Sequence, residues 1–214
     1  MTNQDRFIEK VASALKAPTT HGRGDLAYAD LPAAPERQAP GDLLELLAEN
    51  AALLNIQLHV VADAAAAGET VREITANSEP EWDHQRSVMA WQVPLLQAVG
   101  VEAAVADGRM AFHWSPAPGA PITAACRDAF RRQLGEARIG ITTADWCVAD
   151  TGTLVLRNRP GEPMAVSLVP SVHVAIVAQS QLLYDFNDLY GRLREARRAD
   201  PEALTARMTF ISGP

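Results

Sequence analysis

The feature that most constrains the fold is an alternation of helical patterns with short, nearly continuous apolar runs that are rich in β-branched residues. Strands that are covered by helices on both faces are apolar along their whole length, whereas half-exposed strands alternate apolar and polar residues. The runs therefore predict an α/β fold, and we expect a three-layer α/β/α sandwich. The predicted strands are residues 87–91, 138–143, 153–156, 165–169, 172–177 and 207–211, and a further apolar run covers residues 56–61.

Helical patterns occupy most of the intervals between these runs. Asp42 and Asp63 stand where N-cap residues are expected, and Pro94 stands at the start of a third pattern that stops at Gly100. Further helices are predicted over residues 121–134, over residues 186–199 and from Pro201 onward, with a short helical turn over 144–148. Residues 101–114 predict two short strands joined at Asp107 and Gly108.

The first 41 residues differ from the rest of the chain. Residues 3–16 repeat apolar side chains at helical spacing, and residues 17–41 contain four prolines and three glycines after that helix. These residues exclude a continuous helix and predict an extended arm. We expect two parts, namely the N-terminal helix with its Pro-rich arm in residues 1–41 and an α/β domain in residues 42–214.

Charge and hydropathy narrow the class of protein. The formal net charge is −7, with acidic and basic residues interspersed, which disfavours a nucleic-acid binder because such proteins need a basic surface. No apolar stretch approaches the roughly 20 residues of a membrane span, and the charged N-terminus lacks the apolar segment of a secretory signal. The expected location is the cytoplasm.

Metal-binding residues are few and scattered. The sequence has two cysteines, Cys126 and Cys147, and five histidines that stand singly. An iron–sulfur cluster normally takes four thiolates, and a structural zinc site takes four closely spaced cysteine or histidine ligands. We therefore expect neither a metal site nor an intrinsic cofactor.

The segment Gly140–Leu156 is the most informative for function, because it places hydroxyl groups where a strand ends and a turn begins. Ligands of open α/β sheets bind beyond the carboxyl ends of the strands. Thr142 and Thr143 are therefore candidate ligand-binding residues, as are Thr151, Gly152 and Thr153 across the turn. The alternative is that the turn residues only satisfy backbone amides, with Gly152 supplying a positive φ.

Three side chains are candidates for catalysis. Asp145 and Asp150 could each act as a general base, and His173 lies in an apolar strand after a Pro-Ser turn. His173 is either a core histidine with a hydrogen-bond partner or a histidine that faces the site. Cys147 could be a nucleophile, but no neighbouring cation or base is evident, which favours a small buried side chain.

The segment Gly140–Leu156, followed by the Leu-Val-Pro-Ser-Val-His motif of residues 168–173, resembles the LUD domain family and most closely its lactate utilization protein C branch. The resemblance implies a sheet of the kind shared by sugar-phosphate isomerases and CoA transferases. It also implies work beside iron–sulfur partner proteins that together oxidise L-lactate to pyruvate. Members usually continue past Ser212 and Gly213 with a Ser-Arg/Lys-Thr-Ala-Asp-like signature, so Ser212 is expected at the edge of the ligand site.

Three functions follow from these observations. The first is a clusterless subunit of a lactate-oxidising system, with iron–sulfur clusters in its partners and no dehydrogenase activity alone. The second is a stand-alone enzyme on a small anionic substrate such as a sugar phosphate or an acyl-CoA. A CoA transferase would need a glutamate nucleophile, and residues 138–160 contain none. The third is a regulatory module that senses a small acid.

Overall fold

The computed structural model describes residues 42–82, 85–106, 110–119, 123–199 and 207–213. The predicted N-terminal helix, the Pro-rich arm and the helix predicted from Pro201 lie outside these residues. So does the first of the two predicted parts of the chain, residues 1–41.

The described helices follow the predicted patterns closely in most places. Aspartate side chains cap the first two, because Asp42 accepts a hydrogen bond from the amide of Leu44 and Asp63 accepts one from the amide of Ala66. In chain order the helices are α1 (Leu43–Leu53), α2 (Ala64–Asn77), α3 (Pro94–Val99), α4 (Val101–Val105), α5 (Ala124–Gly135), α6 (Ala165–Leu168) and α7 (Phe186–Ala199).

The described strands form two four-stranded sheets. In chain order they are β1 (Ser87–Ala90), β2 (Ala111–Trp114), β3 (Ala137–Thr143), β4 (Trp146–Val148), β5 (Thr153–Arg157), β6 (Val172–Ile176), β7 (Leu182–Leu183) and β8 (Met208–Ile211). The first sheet has the order β2-β1-β3-β6 and is parallel throughout. The second has the order β7-β4-β5-β8, in which β4 is antiparallel to β5 and β5 is antiparallel to β8.

The parallel sheet forms the centre of the main apolar core. Val88, Ile139 and Ile141 are completely buried, as expected of strands that are covered on both faces. Helices α3, α5 and α6 contact strands of this sheet, and α2 packs on α3 and α4. The prediction of an α/β fold is confirmed as a mixed α/β structure in which helices flank a parallel sheet.

The second sheet carries the segment that the sequence singles out. Val148 pairs with Thr153, so residues 149–152 form the turn of a hairpin between β4 and β5. Ile211 pairs with Leu154 on the other side of β5, which brings the end of β8 next to the start of β5. Helices α1 and α7 contact this sheet. The fold therefore places the 149–152 turn and Ser212 side by side.

Three local predictions are wrong, and one apolar run joins no sheet. Residues 165–168 form helix α6 instead of a strand, and residues 146–148 form strand β4 instead of a helical turn. Residues 101–105 form helix α4, so only the second of two predicted strands exists in residues 101–114. The apolar run of residues 56–61 enters neither sheet.

Candidate functional site

The turn between β4 and β5 is fixed by backbone contacts on both sides. The amide of Ala149 donates to the carbonyl of Leu183 at 2.8 Å, and the amide of Asp150 donates to the carbonyl of Tyr184 at 3.0 Å. Asn50 of α1 donates its side-chain amide to the carbonyl of Ala149 at 3.0 Å. The turn is therefore held between the β7 segment and helix α1.

Gly152 completes this turn in a left-handed conformation. Its φ is +58°, a value that non-glycine residues rarely adopt. A Cβ atom at this position would also lie 3.3 Å from the Cδ1 atoms of Leu54 and Ile56. The prediction that Gly152 supplies a positive φ agrees with the backbone, and the glycine lets the residues that follow α1 approach the turn closely.

Three hydroxyl groups form a continuous hydrogen-bonded chain behind the turn. The Oγ1 atom of Thr153 lies 2.7 Å from Oγ1 of Thr151 and 2.6 Å from Oγ of Ser212. Thr153 is completely buried and is the middle member of the chain. We call Thr151, Thr153 and Ser212 the hydroxyl chain. All three are residues that the sequence nominates for ligand binding, although Ser212 is 59 positions from Thr153.

The hydroxyl chain borders an open cavity of about 400 Å³, which we call the hydroxyl cleft. A cleft of this size falls within the range of small-molecule sites. The described residues that line it are Asn50, Leu53, Leu54, Asp150, Thr151, Thr153, Phe186 and Ser212.

The cleft combines exposed apolar walls with a single charged group. Leu53 is 80% exposed and Phe186 is 45% exposed, so both present hydrocarbon to an incoming ligand. Asp150 is exposed and is the one ionisable side chain among the described lining residues. These residues contribute no lysine or arginine.

Asp145 lies elsewhere, in a cluster of ion pairs. Its carboxylate is only 7% exposed and accepts hydrogen bonds from the backbone amide of Arg157 at 2.7 Å and from Nε of Arg157 at 2.8 Å. The guanidinium of Arg159 donates to the same carboxylate and also to Glu162 at 3.2 Å. Burial lowers the pKa of Arg159, but its hydrogen bonds and charge interactions with Asp145 and Glu162 outweigh this effect and raise it. The carboxylate of Asp145 therefore anchors β5 and the residues that follow it.

Thr142 and His173 contact each other across neighbouring strands of the parallel sheet. Oγ1 of Thr142 lies 2.8 Å from Nε2 of His173, and Thr142 is completely buried. Burial lowers the pKa of His173 to about 4, so its ring is neutral near pH 7. Thr143 donates to the carbonyl of Ala144 at the end of β3. None of these three residues lines the hydroxyl cleft, and a role for them in ligand binding or catalysis stays a prediction.

The carboxyl ends of β1 and β2 are covered by the segment before α6. Nε1 of Trp91 donates to the carbonyl of Pro163 at 3.0 Å, and Oγ of Ser115 donates to the carbonyl of Gly161 at 3.1 Å. Both side chains are almost completely buried. The chain itself therefore covers the ends of β1 and β2, and the hydroxyl cleft lies at the second sheet.

Sequence reasoning nominates half of the cleft-lining residues and misses the other half. Asp150, Thr151, Thr153 and Ser212 are among the sequence candidates. The missed ones belong to α1 and α7 or follow α1 directly, and they are Asn50, Leu53, Leu54 and Phe186. Asn50 is a polar residue in a leucine-rich helix, which is a weak local signal, and nothing local marks the three apolar residues.

The remaining candidate groups are also located. Cys147 is buried, and burial raises the pKa of its thiol to about 11, which disfavours a thiolate nucleophile. Within the described residues, no group of three or more His, Cys, Asp and Glu side chains could hold a metal ion. Of the helices in the described ranges, none has the length and apolar character needed to cross a membrane.

Comparisons with known proteins place these observations in a family context. Residues 44–214 match the LUD domain. Lactate utilization protein C of Halalkalibacterium halodurans is 29% identical over 129 residues, which are 60% of this chain and 52% of that protein. Lactate utilization protein B of Bacillus licheniformis is 30% identical over 91 residues, which are 41% of this chain and 19% of that protein.

The chain spans about half the length of the first of these curated relatives. One solved structure, a DUF162 family protein from Deinococcus radiodurans, is 18% identical, with a TM-score of 0.48 over 80% of this chain and 87% of that one.

Proposed function

Because the chain belongs to the LUD domain family, we propose that it is a cytoplasmic component of lactate utilization that carries no iron–sulfur cluster of its own. In this proposal it works beside iron–sulfur partner proteins that together oxidise L-lactate to pyruvate. The chain is an accessory component of the oxidoreductase system and does not act as a dehydrogenase alone.

The family match over residues 44–214 is the observation that carries the proposal. It includes the whole hydroxyl cleft, and curated relatives of both the C and the B type bear lactate utilization names. The cysteine count supports the division of labour, because two cysteines cannot supply the four thiolates that a cluster normally takes. The electron-transferring groups are therefore assigned to the partners.

The contacts of Asp145 count against the alternative of a stand-alone enzyme that uses this residue as a general base. A base must reach the proton that it removes, and Asp145 is nearly buried with its oxygens occupied by two arginines. The hydroxyl cleft offers a ligand site without an evident acid–base pair among its described lining residues. A binding or positioning role in a larger system fits this arrangement better than independent catalysis.

An affinity purification of the tagged chain from its own cells tests the proposal. We expect iron–sulfur proteins in the eluate, together with lactate-dependent reduction of an artificial electron acceptor, and no such activity from the isolated chain. The matched control is the tag alone, expressed and purified in the same way. Rapid lactate oxidation by the isolated chain, or an iron-free and inactive eluate, would contradict the proposal.

A further inference from the structure

The hydroxyl chain has one more hydrogen than its internal contacts use. Three hydroxyl groups carry three hydrogens, and the two contacts at 2.7 and 2.6 Å use two of them. The third hydrogen lies on Thr151 or on Ser212, or on Thr153 when both ends donate to its oxygen. All three residues line the cleft, so the chain can donate a hydrogen bond to an oxygen atom of a ligand there.

The negative charge of Asp150 determines which of the ligands with an acceptor oxygen the cleft favours. A carboxylate or phosphate would share the cleft with Asp150, and like charges in one site disfavour each other. The described lining residues provide no lysine or arginine to offset this repulsion. Asp150 can instead accept a hydrogen bond from an N–H or O–H group.

The rest of the lining suits a short hydrocarbon group. Leu53, Leu54 and Phe186 form the apolar part of the cleft, which has room for a small organic molecule. A matching ligand therefore has one acceptor oxygen, one donor group and a small apolar substituent.

We propose that the hydroxyl cleft binds an uncharged small hydroxy or oxo compound in preference to a free carboxylate or phosphate. The inference rests on the proposed function, since it assigns the ligand class of this cleft within a lactate-utilizing system. It follows that lactate itself, as an anion, binds well only where a cation from outside the described lining neutralises its carboxylate.

Two probes that differ in charge test this preference directly. L-lactamide has the carbon skeleton and hydroxyl group of L-lactate, and an uncharged amide replaces the carboxylate. Titration of the full 214-residue chain at low salt, followed by the NMR shifts of the 150–153 amides, gives both dissociation constants. We expect L-lactamide to bind more tightly by about threefold, the effect of two like charges about 6 Å apart in a medium like water.

Substitutions of residues that line the cleft test which side chains cause this preference. Asp150→Asn should strengthen L-lactate binding and remove most of the difference between the probes. Asp128→Asn, on the exposed surface of α5, should leave the difference unchanged. A double variant that combines Thr151→Val with Ser212→Ala removes both ends of the hydroxyl chain, and it should weaken both probes by about fivefold, as expected for one hydrogen bond. Thr70→Val, in α2 and away from the cleft, is its control.

Three results would overturn the inference. These are tighter binding of L-lactate than of L-lactamide, a ratio that Asp150→Asn does not change, and no response of the 150–153 amides to either probe. Asp150 is exposed, so its variant is expected to fold even where a change within the hydroxyl chain does not. Failure here is distinguishable from failure of the proposed function, because recovery of partner proteins does not depend on the ratio of the two probes.

Discussion

Asp145 and Asp150 are close in sequence but have different surroundings. Both are candidate bases on sequence grounds, since both lie in the predicted turns between the strands of residues 138–143 and 153–156. The fold buries Asp145 between two arginines and leaves Asp150 exposed at the hydroxyl cleft. Nothing within a few positions of either residue encodes this difference, because Arg157 and Arg159 arrive from the next strand and the segment after it.

Removal of the charge of Asp145 should destabilise the protein. In Asp145→Asn the partly buried Arg157 loses its counter-ion and Arg159 keeps only Glu162, and we expect the free energy of unfolding to fall by roughly 2–3 kcal/mol. The control is Asp128→Asn, whose exposed pair with Arg131 at 3.7 Å should change the value by less than about 0.5 kcal/mol. Urea denaturation of both variants measures the difference, and equal stabilities would refute a structural role for Asp145.

His173 should make stability depend on pH in the acid range. Its pKa is about 4 in the folded protein, against an ordinary value of 6.5, so the unfolded chain binds the extra proton first as the pH falls. The free energy of unfolding is therefore highest above pH 6.5, and it falls progressively as the pH is lowered to 4. The expected loss is about 2–3 kcal/mol relative to a His173→Gln variant.

Denaturation of the wild type and the His173→Gln variant between about pH 4 and 7 checks this dependence. The variant removes the titrating ring and keeps a side chain that can contact Thr142. His59→Gln, at an exposed position, should retain the full dependence. Parallel stability curves for the wild type and His173→Gln would show that the ring is not protected from protonation in the folded state.

At the scale of elements, the wrong predictions concern short segments whose neighbours decide their structure. Residues 165–168 contain the β-branched Val166, yet they form a helical turn after Pro163, where the amide of Val166 donates to the Pro163 carbonyl. Residues 146–148 form a strand because β5 and β7 pair with them on both sides. In segments of three or four residues, intrinsic propensity is too small to outweigh such contacts.

The contact between α6 and β3 depends on Gly140. A Cβ atom there would lie 1.9 Å from the carbonyl oxygen of Val166, so helix and strand could not keep their present separation. We expect Gly140→Ala to lower the free energy of unfolding by at least about 2 kcal/mol.

Gly191→Ala, inside α7, is the matched control for this change. Apart from the neighbouring residues and the backbone of the same helix, no heavy atom would lie within 4 Å of a Cβ atom at this position. It should stabilise the protein by about 0.5–1 kcal/mol, the usual gain for alanine over glycine in a helix. Thermal unfolding of the two variants should therefore move in opposite directions. A Gly140→Ala protein as stable as the wild type would mean that α6 is not packed on β3 as described.

At the scale of the whole molecule, the described residues form two sheets where the sequence patterns indicate a single sandwich. The parallel sheet joins strands that are separated by helices, and the mixed sheet joins the hairpin to strands that are distant in the chain. Residues 56–61 show that an apolar run does not always form a buried strand. It is largely apolar, but Val60 is 61% exposed and no described strand pairs with the run.

The sequence by itself determined the α/β class, most helix boundaries, the buried parallel strands and the hydroxyl-rich turn. These features depend on local properties, namely the spacing of apolar residues, aspartate caps, proline and glycine positions, and a glycine with positive φ. Only the tertiary structure decided that Thr151 and Thr153 meet Ser212, that α1 and α7 supply the cleft walls, and that Asp145 is an ion-pair anchor. These outcomes depend on which strands pair across long sequence separations, and such pairing leaves no local signal in the residues that it brings together.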